Sequence, residues 1–313
     1  MKRIVITGAS GVIGTALLDN LRETGDAITA ASRREAHFPP GVRHVKVGEV
    51  GAETDWRDAL EGQDALVHLA ALLPSPAHSP DDFDRVNAAG TARIVEQAER
   101  YGIKTIIFLS SIAVVTANAN SVAVDDITPP NPANAYGRSK LRAEEAVMRF
   151  ASIGRTGICL RPPLVYGAQS RGNWRAMMTL AASGLPLPFG AVDNRRTMIS
   201  VGNLVGAIRH CLENASPERS GAYAVADRES VSLAQMFRDL REGMGRRPLL
   251  VPVPAPLLAV PLRLAGKGQI ADSLFGDLEV DSSRFRDAFA WSPPESARDA
   301  IRRSGQEFAA TRR

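Results

Sequence analysis

The sequence opens with a pattern that few folds can accommodate. Ile4-Val5-Ile6 is a short, continuous β-branched run, the mark of a strand buried on both faces. Thr7 leads into Gly8, Gly11 and Gly14, and residues 12–22 carry the apolar spacing of an amphipathic helix. Strand, glycine turn and helix in that order form the first unit of a dinucleotide-binding fold. Gly8 permits the tight turn, Gly11 lets backbone approach a pyrophosphate, and Gly14 lets helix and strand pack closely. The phosphates would rest at the helix N-terminus, where free amides and the helix dipole favour negative charge.

The alternation continues through the first half. Strand patterns fall at 27–31, 42–47, 64–71, 103–109 and 156–160, with helical patterns at 56–60, 84–100 and 136–150 between them. This predicts an α/β fold of Rossmann type, a doubly wound parallel sheet covered on both faces, with a smaller C-terminal substrate-binding lobe. Beyond Arg161 the alternation breaks down: 174–183, 203–213 and 233–242 read as helices and 222–226 as one more strand able to join the sheet. The expected division is a dinucleotide-binding domain at 1–165, with 196–226 returning to it, and a lobe from 166–195 and 227–313. A chain of 313 residues is long enough for both.

Charge and cysteine usage narrow the function classes. A net charge of +4 and a pI near 9.3 would attract an acidic or phosphorylated substrate. The cations are scattered, with few aromatic residues near them, so nucleic-acid binding is not expected. Cys159 and Cys211 lie in apolar segments and read as buried thiols of a reducing compartment. The N-terminus enters the fold without a signal-peptide pattern, and the apolar stretch 249–265 is broken by four prolines and Arg263. A cytoplasmic protein without membrane insertion is expected.

The second strand ends at Ser32-Arg33-Arg34, where an NAD site usually carries an acidic residue for the ribose hydroxyls. Two arginines could instead pair with a 2′-phosphate, which favours NADP(H) over NAD(H). If they only solvate the strand end, NAD remains. His68, in the fourth strand, reads as a packed or hydrogen-bonded structural histidine. Tyr136 and Lys140 stand four apart at the start of a helix and so share a face. A lysine ammonium near a phenol stabilises the phenolate, so such a tyrosine can exchange a proton with a sugar hydroxyl or ketone. Ser111, at the end of the fifth strand, can hydrogen-bond the same oxygen.

Together these pieces resemble the extended short-chain dehydrogenase/reductases, and specifically the NAD-dependent epimerase/dehydratase family. The matching residues are Thr7-Gly-Ala-Ser-Gly-Val-Ile-Gly14, His68-Leu-Ala-Ala71, Asn87, Ser110-Ser111, Tyr136 with Lys140, Arg161-Pro-Pro-Leu-Val-Tyr-Gly167 and Arg196-Thr-Met-Ile-Ser-Val201. The resemblance implies a catalytic triad of Ser111, Tyr136 and Lys140. It implies a cofactor site built from Gly8, Ser10, Gly11, Val12, Ile13 and Gly14, from Ser32, Arg33 and Arg34, and from Glu49 and Val50. Leu69, Ala70, Ala71, Asn87, Tyr136, Lys140 and Pro163 complete that site by the same resemblance. Glu49 departs from the aspartate many relatives carry near the adenine. Asn173 and Arg196, with Ser111, are implied to hold a nucleotide-diphosphate sugar, UDP-linked by preference; a guanidinium suits a diphosphate because it binds phosphate bidentately.

Dehydration is disfavoured, because Ile112 and Ala113 follow Ser111 where sugar-nucleotide dehydratases carry an acid pair. Two readings stay open. One is reduction of the 4-keto group of a UDP-4-keto-6-deoxy-hexosamine with Tyr136 as proton donor, toward which Arg33 and Arg34 tilt the choice. The other is a UDP-hexose 4-epimerase with tightly bound NAD. A reductase of a non-sugar carbonyl and a non-catalytic NAD(P)-sensing protein are further alternatives. Substrate choice would rest on 72–80, 114–120 and 169–194. Family members pair two helices as a dimer interface, and Ile94, Val95, Leu141, Val147 and Phe150 offer apolar positions for a homodimer.

Overall fold

The apolar runs of the first half become strands of one parallel sheet. The computed structural model describes residues 1–116, 123–151 and 154–312. It begins with β1 (Arg3–Thr7), α1 (Val12–Leu21), β2 (Ala27–Ser32), β3 (Val42–Lys46), the one-turn α2 (Arg57–Leu60) and β4 (Ala65–His68). α3 (Pro80–Phe83) runs through a π-helical turn, Asp84–Ala89, into α4 (Gly90–Arg100), followed by β5 (Thr105–Leu109), α5 (Ala135–Ala151) and β6 (Thr156–Arg161). Next come β7 (Leu164–Tyr166), α6 (Asn173–Ala181), β8 (Met198–Ser200), α7 (Val201–Glu213), β9 (Gly221–Ala224) and α8 (Leu233–Gly243). The tail holds α9 (Ala255–Leu264), α10 (Gly268–Phe275), α11 (Ser283–Phe289) and α12 (Ala297–Ala310).

The sheet order is β3-β2-β1-β4-β5-β6-β9, parallel throughout. Strand order reverses between β1 and β4, and in such sheets the ligand crevice opens beyond the strand C-termini at that point. Side chains alternate across the sheet, so Ile4 and Ile6 pack with Leu17 and Leu18 of α1 and Leu204 and Ile208 of α7. Val5, Leu66 and Phe108 face the other way, onto Ile94 of α4 and Val147 and Phe150 of α5. The continuous apolar runs follow from burial on both faces.

β9 forms the seventh strand beside β6, so the chain returns to the sheet after residue 196. It returns a second time in the tail. Phe285 and Phe289 of α11 stand edge-on to Tyr223 of β9, with ring centroids 6.0 and 5.4 Å away, inside the sheet's own core. The division at 227–313 therefore cuts across the sheet domain: part of that segment covers the apolar surface that β9 would otherwise expose. The second lobe has its own core of Trp174 and Met178 from α6, Phe237 and Leu240 from α8, and Ile301 and Phe308 from α12. β7 and β8 form a separate two-stranded parallel ladder. Among the described residues, no helix is long and apolar enough to cross a membrane. Cys159 and Cys211 are buried free thiols.

Candidate active site

The glycine turn closes the crevice between β1 and β4, and its shape depends on missing side chains. Gly8 sits at φ +67°, and a Cβ there would stand 2.8 Å from the Ala70 nitrogen and 2.9 Å from the Leu69 carbonyl carbon. A Cβ on Gly14 would stand 2.6 Å from Ala9 Cα. At Gly11 a Cβ would meet only the Gly8 oxygen, at 3.1 Å, and then open space. That space is the approach to the first turn of α1, whose cap residue, Gly11, makes no side-chain hydrogen bond. Ser10 and Gly11 are exposed and Val12 and Ile13 half-buried, and a helix leaves its first amides without intrahelical partners. The cradle thus fits a dinucleotide pyrophosphate. Leu69, Ala70 and Ala71 line its far wall, half-buried, with the Ala70 amide donating to Thr7 Oγ1 at 3.2 Å.

At the end of β2 the polar residues are already engaged. Ser32 is buried, and its hydroxyl donates to the Arg34 carbonyl at 2.6 Å and pairs with His44 Nε2 at 2.9 Å. Arg33 reaches Glu49 at 3.6 Å, an exposed pair, and Arg34 is exposed. A carboxylate beside Arg33 offsets part of the charge expected to favour a 2′-phosphate. Val50 is buried, and its Cγ1 lies 2.7 Å from where a Cβ on Gly90 would stand. Pro163 is buried next to Pro162, whose carbonyl accepts from the Ile112 amide at 3.0 Å.

Ser111, Tyr136 and Lys140 converge at the end of β5. Ser111 caps a 3-10 turn, Ile112–Val114, accepting from the Ala113 amide at 3.2 Å, and its side chain is near enough to the Tyr136 phenol to lower its pKa. The Tyr136 ring stands edge-on to Phe83, centroids 5.9 Å apart. Lys140 is buried; Nζ donates to the Leu109 carbonyl at 2.8 Å and lies 4.6 Å from the Phe108 ring centroid. Burial pushes the Tyr136 phenol up to about 12, with the nearby Ser111 side chain acting against it. The downward pull expected from Lys140 is not expressed. Burial has drawn Lys140 itself down to about 7, against the upward pull of Glu144, and its ammonium is spent on the Leu109 carbonyl.

Two residues that hold this arrangement, Gly137 and Glu144, were not singled out from the sequence. Gly137 follows the tyrosine, and a Cβ there would collide with the Ala113 carbonyl and stand 3.0 Å from Pro132 Cβ. Only glycine lets α5 sit on the turn that carries Ser111; the Tyr-Gly pair was the available signal. Glu144 is buried, accepting from Ser110 Oγ at 2.5 Å and from the Arg161 guanidinium at 2.9 and 2.6 Å. That buried pair locks α5 to β6, and nothing in sequence spacing announces it. Asn87 is also buried: its amide oxygen accepts from the Leu72 nitrogen at 2.8 Å, and its amide nitrogen donates to the Leu72 carbonyl and Ser139 Oγ at 3.1 and 3.2 Å. Its side chain ties the β4 exit loop to the helix of Tyr136. His68 hydrogen-bonds Thr7 Oγ1 through Nδ1 at 2.7 Å and Thr91 Oγ1 through Nε2 at 3.1 Å.

The other two residues implied for substrate, Asn173 and Arg196, stand apart from the triad in the sequence. Asn173 opens α6, exposed, after Gly172 at φ +64°. Arg196 is half-buried, its Nη1 donating to the Gly276 carbonyl at 2.9 Å, and burial pulls its pKa below the ordinary arginine range. Of the segments expected to choose the substrate, 117–120 lie outside the described residues.

This sheet order, glycine cradle and Ser–Tyr–Lys grouping define an enzyme of the extended short-chain dehydrogenase/reductase class. The model of the NAD dependent epimerase/dehydratase family matches residues 4–226, and the chain belongs to that family. It is 32% identical to the UDP-glucose 4-epimerase of Vibrio cholerae over 98% of this chain and 95% of the relative. It is 29% identical to the N-acetyl-alpha-D-glucosaminyl-diphospho-ditrans,octacis-undecaprenol 4-epimerase of Escherichia coli O157:H7, over 84% of this chain and 77% of that one. Among solved structures, the UDP-N-acetylglucosamine 4-epimerase of Methanobrevibacter ruminantium M1 shares the fold with a TM-score of 0.79, at 19% identity, covering 100% and 99% of the two chains.

Proposed function

We propose that this chain is a UDP-hexose 4-epimerase working on NAD held in the glycine cradle. The observation that carries the reading is the near full-length relation to a UDP-glucose 4-epimerase at 32% identity, joined to a serine side chain near enough to the tyrosine phenol to lower its pKa. When bound, NAD would supply a reversible hydride acceptor for C4 of the sugar and a positive ring that favours the phenolate. Tyr136 Oη takes the proton of the C4 hydroxyl and returns it once the sugar has presented its other face. Ser111 Oγ bonds the same oxygen throughout, and Arg196 and Asn173 hold the diphosphate. The Arg33–Glu49 pair supports NAD over NADP at the end of β2. The reading includes a homodimer formed through α4 and α5.

Arg33 and Arg34, both exposed at that strand end, favour a second reading: net reduction of a UDP-4-keto-6-deoxy-hexosamine with NADPH. One experiment separates the two. Purified protein given UDP-glucose and NAD is expected to form UDP-galactose without net accumulation of NADH. Tyr136→Phe should lower that turnover by about 100-fold or more, the scale of a lost acid–base group. Steady consumption of NADPH with a 4-keto-6-deoxy substrate, and no epimerisation, would replace the first reading with the second.

A further inference from the structure

The tail carries a surface that neither the sheet nor the second lobe covers. Half of the large hydrophobic side chains exposed among the described residues come from 249–270: Leu249, Val251, Leu257, Val260, Leu264 and Ile270. On α9 the exposed set repeats at helical spacing. Leu257, Val260, Pro261 and Leu264 form one stripe, with Leu257 66% and Leu264 85% exposed, while Ala255 and Leu258 on the other side pack against the lobe core. No residue of this helix is buried. An apolar stripe of this kind on a soluble lobe marks a contact.

The charge around the stripe says what it contacts. Residues 243–271 hold Arg246, Arg247, Arg263 and Lys267 and no aspartate or glutamate. Just beyond them, Asp272 is already paired with Arg263 at 2.7 Å. A second copy of the same face would bring cations against cations with no carboxylate in the segment to meet them. An anionic bilayer meets both features: aliphatic side chains enter the acyl boundary while arginine and lysine stay at headgroup depth. We infer that α9 and its flanking cations dock the protein on an anionic lipid surface, lying on the bilayer without crossing it.

The segment that follows α9, α10 and its C-terminal Gly276, is tied to the candidate site. Asn194 Nδ2 donates to the Leu274 and Gly276 carbonyls, both at 3.1 Å, and Arg196 holds the Gly276 carbonyl. A bilayer on α9 would therefore lie beside the segment that carries the diphosphate arginine. The inference itself does not depend on turnover.

The test is co-sedimentation of the full chain with vesicles of phosphatidylglycerol mixed with phosphatidylcholine, and with phosphatidylcholine alone. Binding is expected only to the anionic vesicles, weakening as salt rises. The double variant Leu257→Asn, Leu264→Asn should lose about ten-fold or more of that binding. The triple variant Arg246→Gln, Arg247→Gln, Lys267→Gln should lose the preference for phosphatidylglycerol. UDP-hexose turnover without vesicles should be unchanged in both, because these side chains are exposed and none of them is among the residues placed in the candidate site. No sedimentation with anionic vesicles, or equal sedimentation of the double variant, would overturn the inference. So would a wild-type dimer that the double variant converts to monomer, because a second copy would then be the occupant.

Discussion

His68 lies between the glycine turn and α4, and its two hydrogen bonds, to Thr7 and Thr91, hold β1, β4 and α4 in register. Burial first, and the Lys140 charge second, pull its pKa from 6.5 down to about 3. Below pH 6.5 the unfolded chain takes up a proton that the folded chain refuses. Stability is therefore lost as pH falls from 6.5 toward 3, by up to about 1.4 kcal/mol per pH unit. Asp227 acts with the opposite sign: burial raises it from 3.8 to about 6, so the fold gains from its protonation over that interval. His68→Gln should lose about 1 kcal/mol at neutral pH from one broken bond, yet decline less steeply than wild type between pH 6.5 and 5. Urea midpoints at a series of pH values measure both slopes; parallel slopes would mean that His68 is not the group responsible. At this scale the sequence was informative where chemistry is local. Tyr136 and Lys140 are one helical turn apart, and the glycine spacing describes its own turn. The depressed lysine, the Glu144–Arg161 lock and the Asn87 clamp come from burial and long-range contact, which spacing does not carry.

Elements were legible where burial is strong and continuous. Apart from the edge strand β3, the strands of the first half are apolar runs that are largely buried, and each falls within a few residues of its expected place. β7 and β8 have three residues each, too few to show a period. α9 was hidden by its prolines, although Pro256 sits in the first turn, where the missing amide costs nothing. α12 buries small residues, Ala297, Ala300, Ser304 and Gly305, because its backbone lies against α8. A Cβ on Gly305 would collide with the Leu240 carbonyl, and one on Gly243 with the Arg302 carbonyl. Gly305→Ala should therefore destabilise the second lobe by about 1–3 kcal/mol, the cost of overpacking a close contact. Gly206, inside α7 with nothing within 4 Å of its would-be Cβ, is the control. Gly206→Ala should stabilise by up to about 1 kcal/mol through helix propensity. Urea unfolding of the two variants checks the pair, and equal effects would remove the crossing from the explanation.

The whole molecule is built from a chain that leaves its sheet and returns twice, which is why a boundary drawn by sequence alone placed α11 in the wrong layer. The same accounting bears on assembly. Ile94, Val95, Val147 and Phe150, the apolar positions counted toward a homodimer, are buried in the chain's own core, and Leu141 is half-buried. What α4 and α5 present outward is charge: Glu96, Arg100, Arg142, Glu145 and Arg149 are exposed. A pair formed there would rest on exposed ion pairs, each worth about 0–1 kcal/mol and screened by salt. Light scattering is expected to give twice the 33.5 kDa chain mass at low ionic strength and to fall toward one chain as salt rises. A single-chain mass at low salt would remove the pairing through α4 and α5. A doubled mass that salt leaves unchanged would point instead to an apolar contact, and α9 carries the exposed apolar stripe from which to make one.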